Sequence, residues 1–147
     1  MTSDFSQIAS SYVEELRARG TEIDAQRALP QDIADRLAQE GFYRLCTPNE
    51  LGGMGAEPRV LAEGCEILAT GNASTAWCVF IGATSQYMFP AVTSQLLKEL
   101  LEQPNVITSG VFAYSGTATR SSDNPGHWII DGRWDWGSGC HNAAWIS

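Results

Sequence analysis

The chain has 147 residues, of which 44% are hydrophobic and 18% charged, and its formal net charge is −8. This length and composition are typical of a globular protein with its own core. The negative charge argues against nucleic acid or an anionic membrane surface as partner, because both attract clustered Lys and Arg. No apolar run reaches the roughly 20 residues of a membrane-spanning helix. The N-terminus also lacks the pattern of a secretory signal, so we expect a cytoplasmic protein.

The first two-thirds of the chain shows helical periodicity with ordinary start and stop signals. A first helix is predicted from about Phe5 to Leu16, with Gly20 as its stop. A second is predicted to begin near Thr21, and a third runs from Pro30 to Gly41. Three glycines within residues 48–55 then indicate a loop, which is either a plain connector or a surface that a ligand or neighbouring domain approaches closely.

Two further helices are predicted after this loop. Pro58 opens the first, which Gly71 ends, and Ser74 caps the second. The second helix contains Trp77 and carries no charged residue from Ser74 to Phe89. A helix of that kind is central to a bundle or lines a pocket. A last amphipathic helix with leucines at positions 96, 97, 100 and 101 precedes a change of pattern at Asn105.

From Asn105 onward the pattern is extended. Strands are predicted within residues 106–112, 117–119, 127–130 and 143–146, with a turn at 122–126. Asp131-Gly132 predicts a two-residue hairpin. Since the sequence stops within a predicted strand, we expect the β unit to be incomplete. The fold class is therefore α+β, with a helical domain at residues 1–104 and the start of a β domain at 105–147.

Residues 131–140, Asp-Gly-Arg-Trp-Asp-Trp-Gly-Ser-Gly-Cys, stand out for their chemistry. If this stretch is extended, Trp134, Trp136 and Ser138 share one face and form an apolar wall with a single hydroxyl. Gly137 and Gly139 would let a ligand approach the backbone closely. Such a surface suits a planar heteroaromatic cofactor such as a flavin. The alternative is a tryptophan-rich hairpin buried in an ordinary core.

Other reactive side chains are sparse. His141 is a candidate to hydrogen-bond a substrate or a reactive oxygen intermediate, and the alternative is a solvated loop residue. The four cysteines show no Cys-x-x-Cys spacing and are predicted to be free thiols. No zinc site is expected, because neither histidine is spaced from them as a ligand would be.

Taken together, these pieces resemble the acyl-CoA dehydrogenase superfamily, and within it the flavin-dependent monooxygenases related to hydroxyphenylacetate and dibenzothiophene hydroxylases. The resemblance extends from about Ala25 to the end of the chain. Besides residues 131–140, the matching pieces are Arg27-Ala28-Leu29-Pro30, Gly41-Phe42-Tyr43-Arg44-Leu45, Pro48 with Gly52-Gly53, Ala73-Ser74-Thr75-Ala76-Trp77 and Gly110-Val111-Phe112-Ala113.

The resemblance implies a helical N-terminal domain, a middle antiparallel β-barrel domain and a C-terminal four-helix bundle, assembled as a homotetramer. Ser138 would lie near the flavin N5 edge, and Trp77 would line the substrate pocket. Ser138 and, from its position after the Ser-Gly-Cys stretch, His141 are the predicted catalytic residues. Flavin contacts are expected from Phe112, Tyr114, Gly116, Ala118, Trp136, Gly137, Ser138 and Gly139.

The activity implied is that of the oxygenase component of a two-component monooxygenase. A separate reductase would supply reduced FAD or FMN, and a flavin C4a-hydroperoxide would hydroxylate an aromatic or similar small molecule. One alternative is an acyl-CoA dehydrogenase that oxidises an acyl-CoA thioester with a catalytic Glu from a later domain. Another is a truncated, non-catalytic chain that binds a partner or a small ligand.

Overall fold

A computed structural model describes residues 2–87, 94–103, 105–113 and 115–147. Its helical part contains six α-helices: α1 (Thr2–Ala18), α2 (Gly20–Gln26), α3 (Gln31–Gln39), α4 (Pro58–Gly71), α5 (Ala73–Ser85) and α6 (Ser94–Leu101). Two 3₁₀ turns, Phe42–Arg44 and Asn49–Leu51, lie between α3 and α4. Among the helices of these residues, none is long and apolar enough to cross a membrane.

Most of the predicted helix boundaries are confirmed. Pro58 is the first residue of α4, and Gly71 is its last. Gly20, which was predicted to stop α1, is instead the first residue of α2, because α1 already ends at Ala18. Gly41, two residues after α3, takes a left-handed φ of 86°, which glycine adopts without strain. The predicted cap of α5 was wrong, because Asn72 rather than Ser74 holds that position. The Asn72 side-chain oxygen accepts from the Thr75 amide at 2.8 Å, an N-cap bond.

The core lies where α1 packs on α4 and α4 packs on α5. The 3₁₀ turn Phe42–Arg44 packs against α3 and α5. The rings of Phe42 and Phe5 pack edge to face, with their centroids 5.4 Å apart. The largest fully buried apolar side chains are Leu16, Ile33, Leu37, Phe42, Leu45, Leu68 and Val79. Burial of these apolar side chains stabilises the packed helices more than the intrinsic helix propensity of their residues does.

The glycine-containing loop at residues 48–55 folds back on the segment before it. The amides of Met54 and Gly55 donate to the carbonyls of Arg44 and Thr47, at 3.1 and 2.8 Å. A side chain at Gly53 would overlap Thr47. Several backbone amides of this loop are thus bonded within the chain, which is compatible with a plain connector. Whether a ligand or neighbouring domain approaches the loop stays a prediction.

Four short strands follow: β1 (Thr108–Ser109), β2 (Gly116–Arg120), β3 (Trp128–Gly132) and β4 (Trp145–Ile146). β1 pairs with β4 in parallel, and β2 pairs with β3 antiparallel. β1 is buried against α5, where the Thr108 hydroxyl donates to the Gly82 carbonyl at 3.1 Å. The described chain is therefore a helical domain followed by a few strands, as predicted.

The predicted hairpin at Asp131-Gly132 was wrong. Both residues lie inside β3, where Asp131 pairs with Thr117 and Gly132 with Gly116. The chain reverses instead through residues 121–127, where Gly126 has a φ of 92° and the Ser121 amide bonds the His127 carbonyl. An Asp-Gly pair makes a turn only where the chain must reverse, and the predicted turn at 122–126 already does so.

Candidate functional site

The candidate site is the loop at residues 133–142, which joins β3 to β4 and carries Ser138. Its second half is turned, with amide-to-carbonyl bonds from Cys140 to Gly137 and from Asn142 to Gly139. The side-chain amide of Asn142 donates to the Leu29 carbonyl at 2.9 Å and so ties the loop to the segment before α3. The loop is therefore attached to the helical domain by side-chain bonds.

Ser138 is held on two sides. Its carbonyl oxygen accepts a bond from the hydroxyl of buried Ser109 in β1, at 2.7 Å. Its side-chain oxygen accepts a bond from the indole N–H of Trp77 on α5, at 2.9 Å. Two residues that were predicted to act at flavin and substrate are thus brought into direct contact, although 61 residues separate them in the sequence.

The predicted apolar wall of Trp134, Trp136 and Ser138 was wrong. Trp136 has a φ of 68°, a left-handed conformation that is rare for a bulky residue, so the alternation of an extended strand is lost there. Its side chain is 92% exposed, whereas that of Trp134 is 42% exposed. The ring of Trp134 lies over Gly116 and Gly132, where a side chain on either glycine would overlap it.

Aromatic surface nevertheless remains close to Ser138. Trp77 is 53% exposed and stacks on Phe80, one turn further along α5, with ring centroids 5.7 Å apart. The opposite face of α5 is in the core, where Ala76 and Val79 are buried. One face of α5 is therefore packed in the core, as predicted, while the other presents aromatic rings to solvent, and its role as a pocket wall stays a prediction.

Gly139 lies against the backbone of Cys78 on α5, with no side chain between them. Burial raises the pKa of the Cys78 thiol, and a hydrogen bond from the backbone of Gly139 opposes that shift. A raised pKa keeps the thiol protonated and poorly nucleophilic. All four cysteines are free, as predicted.

A cleft of about 520 Å³ opens beside the loop, within the size range of small-molecule sites. Its walls are apolar, formed by Val111, Ile130, Trp134 and Ile146, with Gly137 and Cys140 at the loop side. Two of these residues, Ile130 and Ile146, are 68% and 63% exposed, so the cleft is open to solvent.

The other predicted site residues are more dispersed. Phe112 is 81% exposed, His141 is exposed in the turn after Ser138, and Gly116 and Ala118 lie in exposed β2. Tyr114 lies outside the described residues. Their roles as flavin contacts, and that of His141 in catalysis, stay predictions.

Three residues that contact the loop or its neighbours were not predicted: Ser109, Phe80 and Asn142. Ser109 was included in a predicted strand, but not as a site residue. The available signal for such a role was that Ser109 is a small polar residue within a run of β-formers. Phe80 lies three residues after Trp77, a spacing that places two side chains on the same face of a helix. Nothing in the local sequence indicated that Asn142 would bond Leu29.

The profile of the acyl-CoA dehydrogenase N-terminal domain matches residues 4–100. The chain belongs to this family. Within the family, the chain is 27% identical over 136 residues to the oxygenase subunit HsaA, a flavin-dependent monooxygenase of Mycobacterium tuberculosis, covering 92% of this chain and 34% of that protein. It is 30% identical to indole-3-acetate monooxygenase of Acinetobacter baumannii, covering 86% of this chain and 32% of that protein.

Solved structures of the family agree with this fold. The HsaA monooxygenase from M. tuberculosis superimposes with a TM-score of 0.86 at 25% identity, covering 99% of this chain and 39% of that one. XiaF from Streptomyces sp., solved with FADH2 and glycerol, superimposes with a TM-score of 0.87 at 24% identity, covering 99% of this chain and 36% of that one. The chain spans about a third of the length of the curated relatives that it matches.

Proposed function

We propose that this chain is the N-terminal part of the oxygenase component of a two-component flavin-dependent monooxygenase. The relatives' names support this reading, since they include an oxygenase subunit and an FADH2-dependent resorcinol hydroxylase. The observation that carries it is the Ser138 loop, which is fixed on α5 with a hydroxyl between two glycines and beside exposed aromatic rings.

The residues present fit a flavin. Gly137, which borders the cleft, puts no side chain between the loop backbone and a planar ring system, while the corresponding side of Gly139 lies against Cys78. The Ser138 hydroxyl has one proton and two lone pairs, and the bond from Trp77 uses a lone pair. No acceptor for the hydroxyl proton is found in the described part of the chain, so that proton is available to a ring nitrogen of the cofactor.

In this proposal, Ser138 holds the flavin by a hydrogen bond, and the backbone of Gly137 and Gly139 contacts its ring. Phe112, Tyr114, Gly116, Ala118 and Trp136 are the further proposed flavin contacts. Trp77 lines the substrate pocket, and His141 bonds the substrate or the reacting oxygen. The reduced flavin, either FAD or FMN, supplies the electrons that activate oxygen.

The substrate class proposed is a small aromatic molecule, in keeping with relatives that are named for indole-3-acetate and resorcinol. A separate reductase would supply the reduced flavin, as the words "oxygenase component" in one relative's name suggest. We also propose that residues 105–147 belong to an antiparallel β-barrel domain, that the whole protein is a homotetramer, and that it works in the cytoplasm.

The test is an anaerobic titration of the chain with reduced FAD and with reduced FMN, in which binding is measured by tryptophan fluorescence. Oxygenated buffer with a panel of phenols and indoles is then added, and hydroxylated products are measured by mass spectrometry. Saturable binding of one flavin and formation of a product support the proposal.

Two results would count against it. Failure of both reduced flavins to bind at millimolar concentration favours a chain that only binds a partner or another ligand. Reduction of bound oxidised flavin by an acyl-CoA thioester favours the dehydrogenase alternative.

A further inference from the structure

The bond between Trp77 and Ser138 has only one possible direction. An indole N–H is a donor and has no acceptor atom, so the Ser138 oxygen must accept at 2.9 Å. The Ser138 proton therefore cannot point back along this bond. It is left to point away from Trp77, and Ser138 is only half-buried, so a bound group can reach it.

The backbone on both sides of this hydroxyl is also restrained. Ser109 donates to the Ser138 carbonyl at 2.7 Å, and Gly139 packs against the backbone of Cys78 on α5. With the main chain held at these two points, rotation about the Ser138 side-chain bond is the remaining freedom. The indole of Trp77 removes that freedom by selecting one rotamer.

Trp77 is itself well placed to direct another group. It lies on α5, which is anchored in the core through the buried side chains of Ala76 and Val79. Its ring stacks on Phe80 with an interplanar angle of 25°. Groups held by packing on a helix keep a more precise geometry than groups on a loop.

We propose that Trp77 is a positioning residue, whose indole N–H orients the Ser138 hydroxyl so that its proton is presented to the flavin. This role differs from lining the substrate pocket, because it acts through Ser138 rather than through contact with substrate. The inference rests on the proposed function, since it requires that a flavin binds at Ser138.

The test is a cycle of Trp77→Phe, Ser138→Ala and the double variant, with the affinity for reduced flavin as readout. Phe keeps the aromatic ring and its stacking on Phe80 but removes the N–H. Each single variant is expected to weaken flavin binding about fivefold, the worth of one hydrogen bond. The double variant is expected to bind no more weakly than Ser138→Ala, because Trp77 acts through that hydroxyl.

A second measurement tests the bond between Trp77 and Ser138 without flavin. In protein labelled with ¹⁵N at the indole nitrogens, the Trp77 N–H is expected to exchange slowly with solvent, and faster in Ser138→Ala. The matched control is Trp128→Phe, whose indole lies in β3 and stacks with Arg120 at 4.7 Å. This control is expected to leave both flavin affinity and Trp77 exchange unchanged.

The outcomes separate the inference from the proposed function. Failure of the unsubstituted chain to bind either flavin would overturn both. Intact flavin binding with additive effects of Trp77→Phe and Ser138→Ala, or no effect of Trp77→Phe, would overturn the positioning role alone. An indole N–H whose exchange is indifferent to Ser138→Ala would overturn it as well.

Discussion

The hydroxyl of Ser109 donates a hydrogen bond to the carbonyl oxygen of Ser138 at 2.7 Å. Ser109 is fully buried in β1, so this bond attaches the candidate flavin-binding loop to the strand that packs on α5. The attachment is independent of the Ser138 side chain. Loop position and hydroxyl orientation are thus set by two different residues.

Replacement of Ser109 by Ala is expected to lower the free energy of unfolding by about 1 kcal/mol, because the Ser138 carbonyl loses its partner. Urea unfolding followed by tryptophan fluorescence measures this. Ser11→Ala is the matched control, since the Ser11 hydroxyl makes an exposed bond within α1. Equal effects of the two substitutions would contradict the prediction.

Replacement of Gly82 by Ala is expected to destabilise the protein by about 1–3 kcal/mol, as overpacking does. The new methyl group would lie 2.5 Å from the ring of Tyr43, which is 2% exposed and has no space to move. Gly20→Ala is the control, because nothing lies within 4 Å of that position. It is expected to be neutral or stabilising by less than about 1 kcal/mol. Thermal unfolding of both variants decides the comparison.

Gln86 joins two segments inside the core. Its side-chain oxygen accepts from the Thr47 hydroxyl at 2.7 Å, and its nitrogen donates to the Val106 carbonyl at 3.3 Å. Gln86→Leu is expected to cost about 1–3 kcal/mol, since it leaves a buried hydroxyl without a partner.

Adding Thr47→Val to Gln86→Leu removes that stranded hydroxyl. The double variant is therefore expected to be less destabilised than the sum of the two single variants, as measured by urea unfolding. If the loss of unfolding free energy in the double variant equals the sum of the two single losses, the prediction for the Thr47–Gln86 bond is contradicted.

Acid is expected to weaken the ion pairs that Arg19, which precedes α2, makes with Glu22 on α2 and Asp32 on α3. Hydrogen bonds from Arg19 lower the pKa values of Glu22 and Asp32 below their ordinary values of 4.5 and 3.8. Since the folded pKa values are the lower ones, this stabilisation is complete above the ordinary values and is lost as pH falls through the lowered ones. The effect is small and salt-sensitive, because these groups are exposed.

Arg19→Met should therefore flatten the decline of unfolding free energy between neutral pH and a pH below 3.8. Arg59→Met is the control, since Arg59 bonds only the neighbouring Glu63 on α4 in the described structure. The prediction fails if both variants show the same pH dependence.

The helices and their ends were largely predictable because their signals are local. Pro58 and the glycines at 41 and 71 act on the backbone at their own positions, and the apolar spacing of α1 and α3 reflects the helical turn itself. The cap of α5 was missed because Ser74 and Asn72 are both good caps, and only the structure shows which side chain reaches Thr75.

The conformation of residues 131–140 was less predictable. Alternation of side chains requires extended backbone throughout, and the left-handed φ at Trp136 ends that alternation. Asp131-Gly132 taken by itself predicts a turn, but pairing with β2 keeps both residues in a strand. Strand structure depends on partners that are distant in sequence, which no local pattern reports.

The amino-acid sequence by itself determined the order of helices and strands, the resemblance to the family and the choice of Ser138 and Trp77 as candidate site residues, because periodicity and motifs are properties of short segments. Only the tertiary structure decided that these two side chains touch. The contact spans 61 residues and that of Ser109 with Ser138 spans 29. Both contacts exist because β1 packs on α5 and also pairs with β4. The loop that precedes β4 is therefore held against α5.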